Sequence, residues 1–133
     1  MIQMDIGIEG RGDIQKVIDY FKGLSFLKDP MQESVYLLQE RMAKYPMARP
    51  GNIRTGTLGR SWTTEVKETT NGIDGKIGTR VVYAPWVQSG KFQARMHKGF
   101  WQTDEQVMRR SAKDIEQLFN RAIETATSRF SAT

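Results

Sequence analysis

Apolar and polar residues alternate at the start of the chain. Ile2, Met4, Ile6 and Ile8 fall on one side, and Gln3, Asp5, Gly7 and Glu9 on the other. A period of two lays one face of a strand on a core. Gly10-Arg11-Gly12 ends the alternation. The period then changes: Ile14, Val17, Ile18 and Phe21 recur at helical spacing behind Asp13, which reads as an N-cap, and Gly23 is placed to stop the turn. A second helix is expected from Asp29-Pro30, with Asp29 as its cap and Val35, Leu38 and Met42 as its buried stripe. Pro46 ends it at or just after Tyr45.

From Pro46 to Arg60 the periodicity disappears among Pro46, Pro50, Gly51, Gly56 and Gly59. That predicts a long loop, and long loops in compact domains tend to carry function. A hairpin follows. Trp62, Thr64 and Val66 alternate with Thr63, Glu65 and Lys67, and Asn71-Gly72 is a strong tight-turn signal. Asp74-Gly75 competes with it. The return strand is expected from about Lys76 to Tyr83, with Ile77, Thr79, Val81 and Tyr83 on one face. Pro85 opens a short helical turn that Gly90 ends, and residues 89–101 form a second long loop.

Thr103 begins the longest helix. Thr103 and Gln106 have capping-box spacing, and Asp104 and Glu105 suit the positive end of the helix dipole. Met108, Ala112, Ile115, Phe119, Ala122 and Ala126 trace its apolar stripe. The expected fold is α+β, one domain over residues 1–133. A small, mainly antiparallel sheet, made of the N-terminal strand and the hairpin, packs against two N-terminal helices and a long C-terminal helix.

Composition narrows the chemistry. The chain of 133 residues has no cysteine, which excludes disulfides, thiolate metal sites and cysteine nucleophiles. Its one histidine, His97, has no second histidine at metal-ligand spacing and reads as a solvated loop residue. No serine sits in a strained glycine elbow, and Gly72, Gly75 and Gly78 have hairpin rather than phosphate-loop spacing. No catalytic, cofactor or metal site is expected. No apolar run approaches the roughly 20 residues of a membrane span, so a soluble domain is expected.

Charge does change the picture. Lys+Arg number 20 against 15 Asp+Glu, a formal charge of +5. The excess is concentrated. Arg41, Lys44, Arg49, Arg54 and Arg60 follow one another with no acid between them, as do Lys91, Arg95, His97 and Lys98, interleaved with Phe92 and followed by Phe100 and Trp101. Bases beside aromatics suit a protein interface or a nucleic-acid surface, or they face water while the aromatics fold back onto the core. Arg49, Arg54, Arg60, Lys91, Phe92, Arg95 and Trp101 are the candidate contact residues. Both loops have few apolar anchors, which predicts mobility in a free subunit and ordering at an interface.

Two segments carry a family resemblance. Thr55-Gly56-Thr57-Leu58-Gly59-Arg60-Ser61 and Tyr83-Ala84-Pro85-Trp86-Val87-Gln88-Ser89-Gly90 resemble the T-G-x-L-x-x-S and Y-A-x-x-V-x-x-G signatures of the neck and tail-completion proteins of long-tailed bacteriophages. The order of elements from about Asp13 to Ala126 is similar as well. Thr55, Gly56, Leu58, Ser61, Tyr83, Ala84 and Gly90 are the motif and turn-shaping positions, with Gly56 allowing a sharp turn, Leu58 tucked under the sheet, Arg60 outward and Tyr83 ending a strand. The sequence departs from the family at Gln88, where an acid or histidine is common, at Ser89, where a bulky apolar residue is common, and at Gly99-Phe100-Trp101, where a proline–aromatic pair is common. The resemblance implies a structural, non-enzymatic protein of the head–tail connector. Such a protein joins tail to head as a component of a ring of identical subunits that contacts other neck or tail proteins. DNA passes through the channel, no cofactor is involved, and the protein moves from host cytoplasm to virion. The alternative from the residues alone is a small basic nucleic-acid-binding module.

Overall fold

The computed structural model describes residues 2–9, 25–46, 56–69 and 72–132. Its elements are β1 (Ile2–Glu9), a 3-10 turn (Ser25–Leu27), α1 (Lys28–Met42), α2 (Thr57–Arg60), β2 (Thr63–Glu68), β3 (Gly72–Thr79), α3 (Ala84–Gln88), a second 3-10 turn (Arg95–His97) and α4 (Asp104–Ala132). The fold is α+β. The helix expected from Asp13 to Gly23, the break at Gly10-Arg11-Gly12, and Arg49, Arg54, Thr55 and Asn71 lie outside the described residues.

The three strands form an antiparallel sheet in the order β1-β3-β2. Met4, Ile77 and Thr64 stand opposite one another across it, and so do Ile6, Gly75 and Val66. Directly paired residues share a face, so these rows define the inner face. The outer face carries the row Asp5, Lys76, Glu65 and the pair Asp74, Lys67. Opposite charges facing one another on adjacent strands suit a solvated surface.

β3 begins at Gly72, earlier than expected, and Asp74-Gly75 lies inside it rather than in a turn. Thr69 N–H donates to Gly72 O at 2.9 Å, closing the hairpin over two residues. The reason for Gly75 is tertiary. A β-carbon there would meet Met31 Sδ at 2.5 Å and Val35 Cγ1 at 2.7 Å. The glycine is the hollow into which α1 settles on the central strand. The return strand also stops at Thr79, four residues short of Tyr83, so Val81 and Tyr83 are not strand residues.

α1 starts at Lys28 behind the 3-10 turn, with Leu27 at its N-cap and no side-chain cap. Asp29 is therefore a first-turn acid rather than the cap, and Pro30 sits where no N–H partner is needed. Met31, Ser34, Val35, Leu38 and Met42 are its buried side. It ends at Met42, three residues before Tyr45. That release lets the Tyr45 ring lie edge-on to Trp101, with centroids 5.0 Å apart.

α4 runs for 29 residues, about 43 Å at 1.5 Å per residue. Its capping box forms in both directions: Thr103 N–H donates to Gln106 Oε1 at 3.0 Å, and Gln106 N–H to Thr103 Oγ1 at 3.2 Å. The buried stripe runs through Val107, Ser111, Ile115, Phe119 and Ala126. It is shifted one position from the expected start at Met108 and Ala112: Met108 is only half-buried and Ala112 is exposed. The shift follows from Arg41 on α1. Its guanidinium donates to the buried Ser111 hydroxyl at 2.8 Å and to Asp114 Oδ2 at 2.7 Å. Arg41 is thus opposed by an acid 73 residues away, and is no part of an unopposed basic run.

Candidate partner interface

The two signature segments meet at the C-terminal end of α1. The last carbonyls of a helix have no partners within it. Here side chains from distant segments supply them. Gln88, on α3 and fully buried, donates its amide to Met42 O at 3.2 Å and Gln102 O at 3.4 Å. Gln102 donates in turn to Arg41 O. An ionised carboxylate at position 88 would have no proton to give.

The first signature packs on the same helix end. Gly56 has φ +79°, a left-handed conformation that glycine adopts without steric cost, and it turns the chain into α2. Leu58 is buried and Arg60 is exposed, both as expected. Gly59 N–H donates to the Tyr45 hydroxyl at 2.8 Å. Ser61 Oγ donates to Leu58 O at 2.6 Å and lies 2.6 Å from Thr79 Oγ1. Thr79 Oγ1 also accepts Val81 N–H at 3.2 Å. A short polar chain thus runs from the first signature to the threshold of the second.

In the second signature, Ala84 is fully buried and its N–H donates to Val81 O at 3.1 Å. Tyr83 occupies the N-cap position of α3, not a strand end, and is exposed. Its exposure follows from the early end of β3. Gly90 N–H donates to Asp104 Oδ1 at 2.9 Å. A β-carbon on Gly90 would lie 2.4 Å from Glu105 Cδ, so this glycine is where the loop meets the start of α4.

The loop beyond is tightly bonded. Gln93 donates its amide to Val87 O at 2.8 Å, Trp101 O at 2.9 Å and His97 O at 3.3 Å. Backbone bonds add Gln93 N–H to Ser89 O and Ala94 N–H to Trp86 O, at 2.9 and 2.7 Å. His97 is half-buried and edge-on to Trp101 at 6.4 Å, rather than solvated. Trp101, a candidate contact residue, is turned inward onto the core instead. Its ring lies edge-on to Tyr45 and His97 and is half-buried.

What this frame presents outward is apolar. Val82 is 80% exposed, Met96 69%, Phe92 65%, Trp86 56% and Tyr83 44%. Arg80, Lys91, Arg95 and Lys98 are exposed among them. Lys91, Phe92 and Arg95 are all exposed within this segment, and Arg60 is exposed on α2. Val82, Trp86 and Met96 escaped the sequence reading. The available signal was that no acid occurs between Asp74 and Asp104, while Val82 puts an apolar residue on the polar side of the expected strand.

Among the described residues no group of three or more His, Asp or Glu side chains could hold a metal ion. Among the same residues no helix is long and apolar enough to cross a membrane. No protein-family model, curated protein or solved structure matches this chain.

Proposed function

We propose that this protein is a structural subunit of a bacteriophage head–tail connector, acting in neck formation or tail completion. The observation that carries the reading is the surface of segment 80–98. Exposed Trp, Tyr, Phe, Met and Arg are the residues enriched at protein interfaces, and here a bonded loop holds them out from the domain. The signature residues behind it supply that frame rather than a reaction. Association requires only surface buried between subunits. The partners are further copies of the chain and other neck or tail proteins, first in the host cytoplasm and then in the virion. DNA passes the assembled channel without specific recognition.

Electron microscopy of the purified protein, alone and mixed with isolated tails of the parent phage, tests the reading. Rings, or density added at one end of the tail, are expected. Tails that remain unchanged and heads that join to them without the protein overturn it.

A further inference from the structure

The described surface has three broad outward faces besides segment 80–98, and their charges differ in kind. The outer sheet face mixes Asp5, Glu65 and Asp74 with Lys67 and Lys76. The exposed side of α4 mixes Arg109, Arg110, Lys113 and Arg121 with Glu116 and Glu124. The outward side of α1 is different. Asp29, Glu33, Tyr36 and Glu40 are all exposed and follow the i, i+4, i+7, i+11 spacing of one helix face. No basic residue occurs between Asp29 and Glu40. At the N-terminal end of this stripe the bases are exposed Lys28 and, from α4, Arg121, which lines a groove with Asp29 and Glu33. The unopposed part of the stripe is therefore the end at Tyr36 and Glu40. Arg41, the next base, is drawn away to Ser111 and Asp114 on α4. Tyr36, 54% exposed, puts a large apolar ring in the middle of the stripe.

Segment 80–98 has the opposite character: four exposed bases, no acid and five exposed apolar side chains. One surface is therefore basic with apolar anchors, and the other acidic with one aromatic. We infer that the two are halves of one contact: segment 80–98 of one copy docks on the acidic face of α1 of a second copy. Trp86 and Phe92 are the anchors beside Tyr36, and Lys91 and Arg95 are the bases that meet Glu33 and Glu40. The halves are different patches of the same molecule, so the contact is head-to-tail. Each subunit keeps one free half after pairing, and the chain of contacts closes into a ring or continues as a filament. Opposite potentials also exclude the wrong pairings, because two basic segments or two acidic helices repel. The inference deepens the connector reading and rests on it for self-association; the choice of surfaces rests on charge and exposure.

A pair of complementary variants tests it. One carries Lys91→Glu and Arg95→Glu, and the other Glu33→Lys and Glu40→Lys. Each change is on an exposed side chain, and circular dichroism checks that both variants fold. In sedimentation at low salt the native chain is expected to form oligomers beyond the dimer. Each variant alone stays monomeric, and the mixture associates again, because the native segment of one meets the native helix of the other and the two reversed halves are complementary in turn. For weak contacts, Trp86→Cys mixed with Tyr36→Cys under oxidising conditions gives a covalent dimer, a clean readout in a chain without native cysteine. No covalent dimer and no association of the mixed, folded variants overturn the inference. If those variants also fail to join heads to tails, the connector reading stands and segment 80–98 serves a different neck protein. Tight, salt-sensitive binding of a single-stranded oligonucleotide that is lost with Lys91→Glu and Arg95→Glu likewise overturns it, in favour of a nucleic-acid surface.

Discussion

Gln88 and Trp86 lie two residues apart on the same short helix, and their placement reverses the usual rule. The amide is fully buried, and the indole is more than half exposed. The inner side of α3 is selected for hydrogen-bond donors, because it faces the open carbonyl end of α1. The outer side carries exposed apolar area instead. Hydrophobicity alone therefore does not sort inside from outside at this point. What sorts the inner side is which groups already present need a partner: Met42 O and Gln102 O within the fold.

The harshest way to break the inner side is Gln88→Glu. The carboxylate cannot donate to either carbonyl and would be buried without a cation. A loss of about 3–5 kcal/mol is expected, read from urea unfolding at pH 7. The penalty has a definite pH dependence. Burial raises the folded-state pKa of this new acid above its unfolded value of about 4.3. The variant is then destabilised above that value and recovers toward the native chain as pH falls below it. A penalty that does not change between pH 7 and pH 4 would show that the carboxylate finds another partner.

Arg41 repeats the contrast within one side chain, since it touches fully buried Ser111 and half-exposed Asp114. Arg41→Met removes both contacts and leaves the buried hydroxyl without its donor, for an expected loss of about 1–2 kcal/mol. Asp114→Asn removes only the exposed ion pair and should cost below about 1 kcal/mol. Equal effects would show that the exposed pair, and not the buried bond, joins α1 to α4.

The smallest expected change in stability is at Trp86. Trp86→Ser should shift unfolding by no more than about 0.5 kcal/mol, because the ring packs little within the chain. Its effect on joining of heads to tails should nevertheless be large, since aromatic anchors dominate interface energies. A variant that unfolds markedly more easily while still joining them would turn the outer side of α3 into core.

Local pattern alone determined much of this protein. The alternation at Ile2–Ile8 defined β1, the spacing of Val35, Leu38 and Met42 defined the buried side of α1, and Thr103 with Gln106 defined the start of α4. Each of these is a contest among near neighbours in sequence, and there the period of burial and the reach of a side chain are decisive. The signature glycines were legible as special positions too, although only Gly56 is special for its own backbone.

Other features were decided by contacts that close only when distant segments meet. Gly75 reads as a turn until α1 descends on it, and only the helix–sheet distance makes it a strand residue. Only the start of the α4 stripe is displaced, from Met108 and Ala112 to Val107 and Ser111, where Arg41 donates to Ser111, a pairing with no local trace. Arg41 appears unopposed for the same reason. Trp101 turns inward because Tyr45 and His97 wait for it, and Trp86 turns outward because Gln88 holds the inner place. A sequence records which side chains can bury and which can donate. Which of them do so depends on where the unpaired carbonyls and the hollows lie, and those exist only in the folded chain.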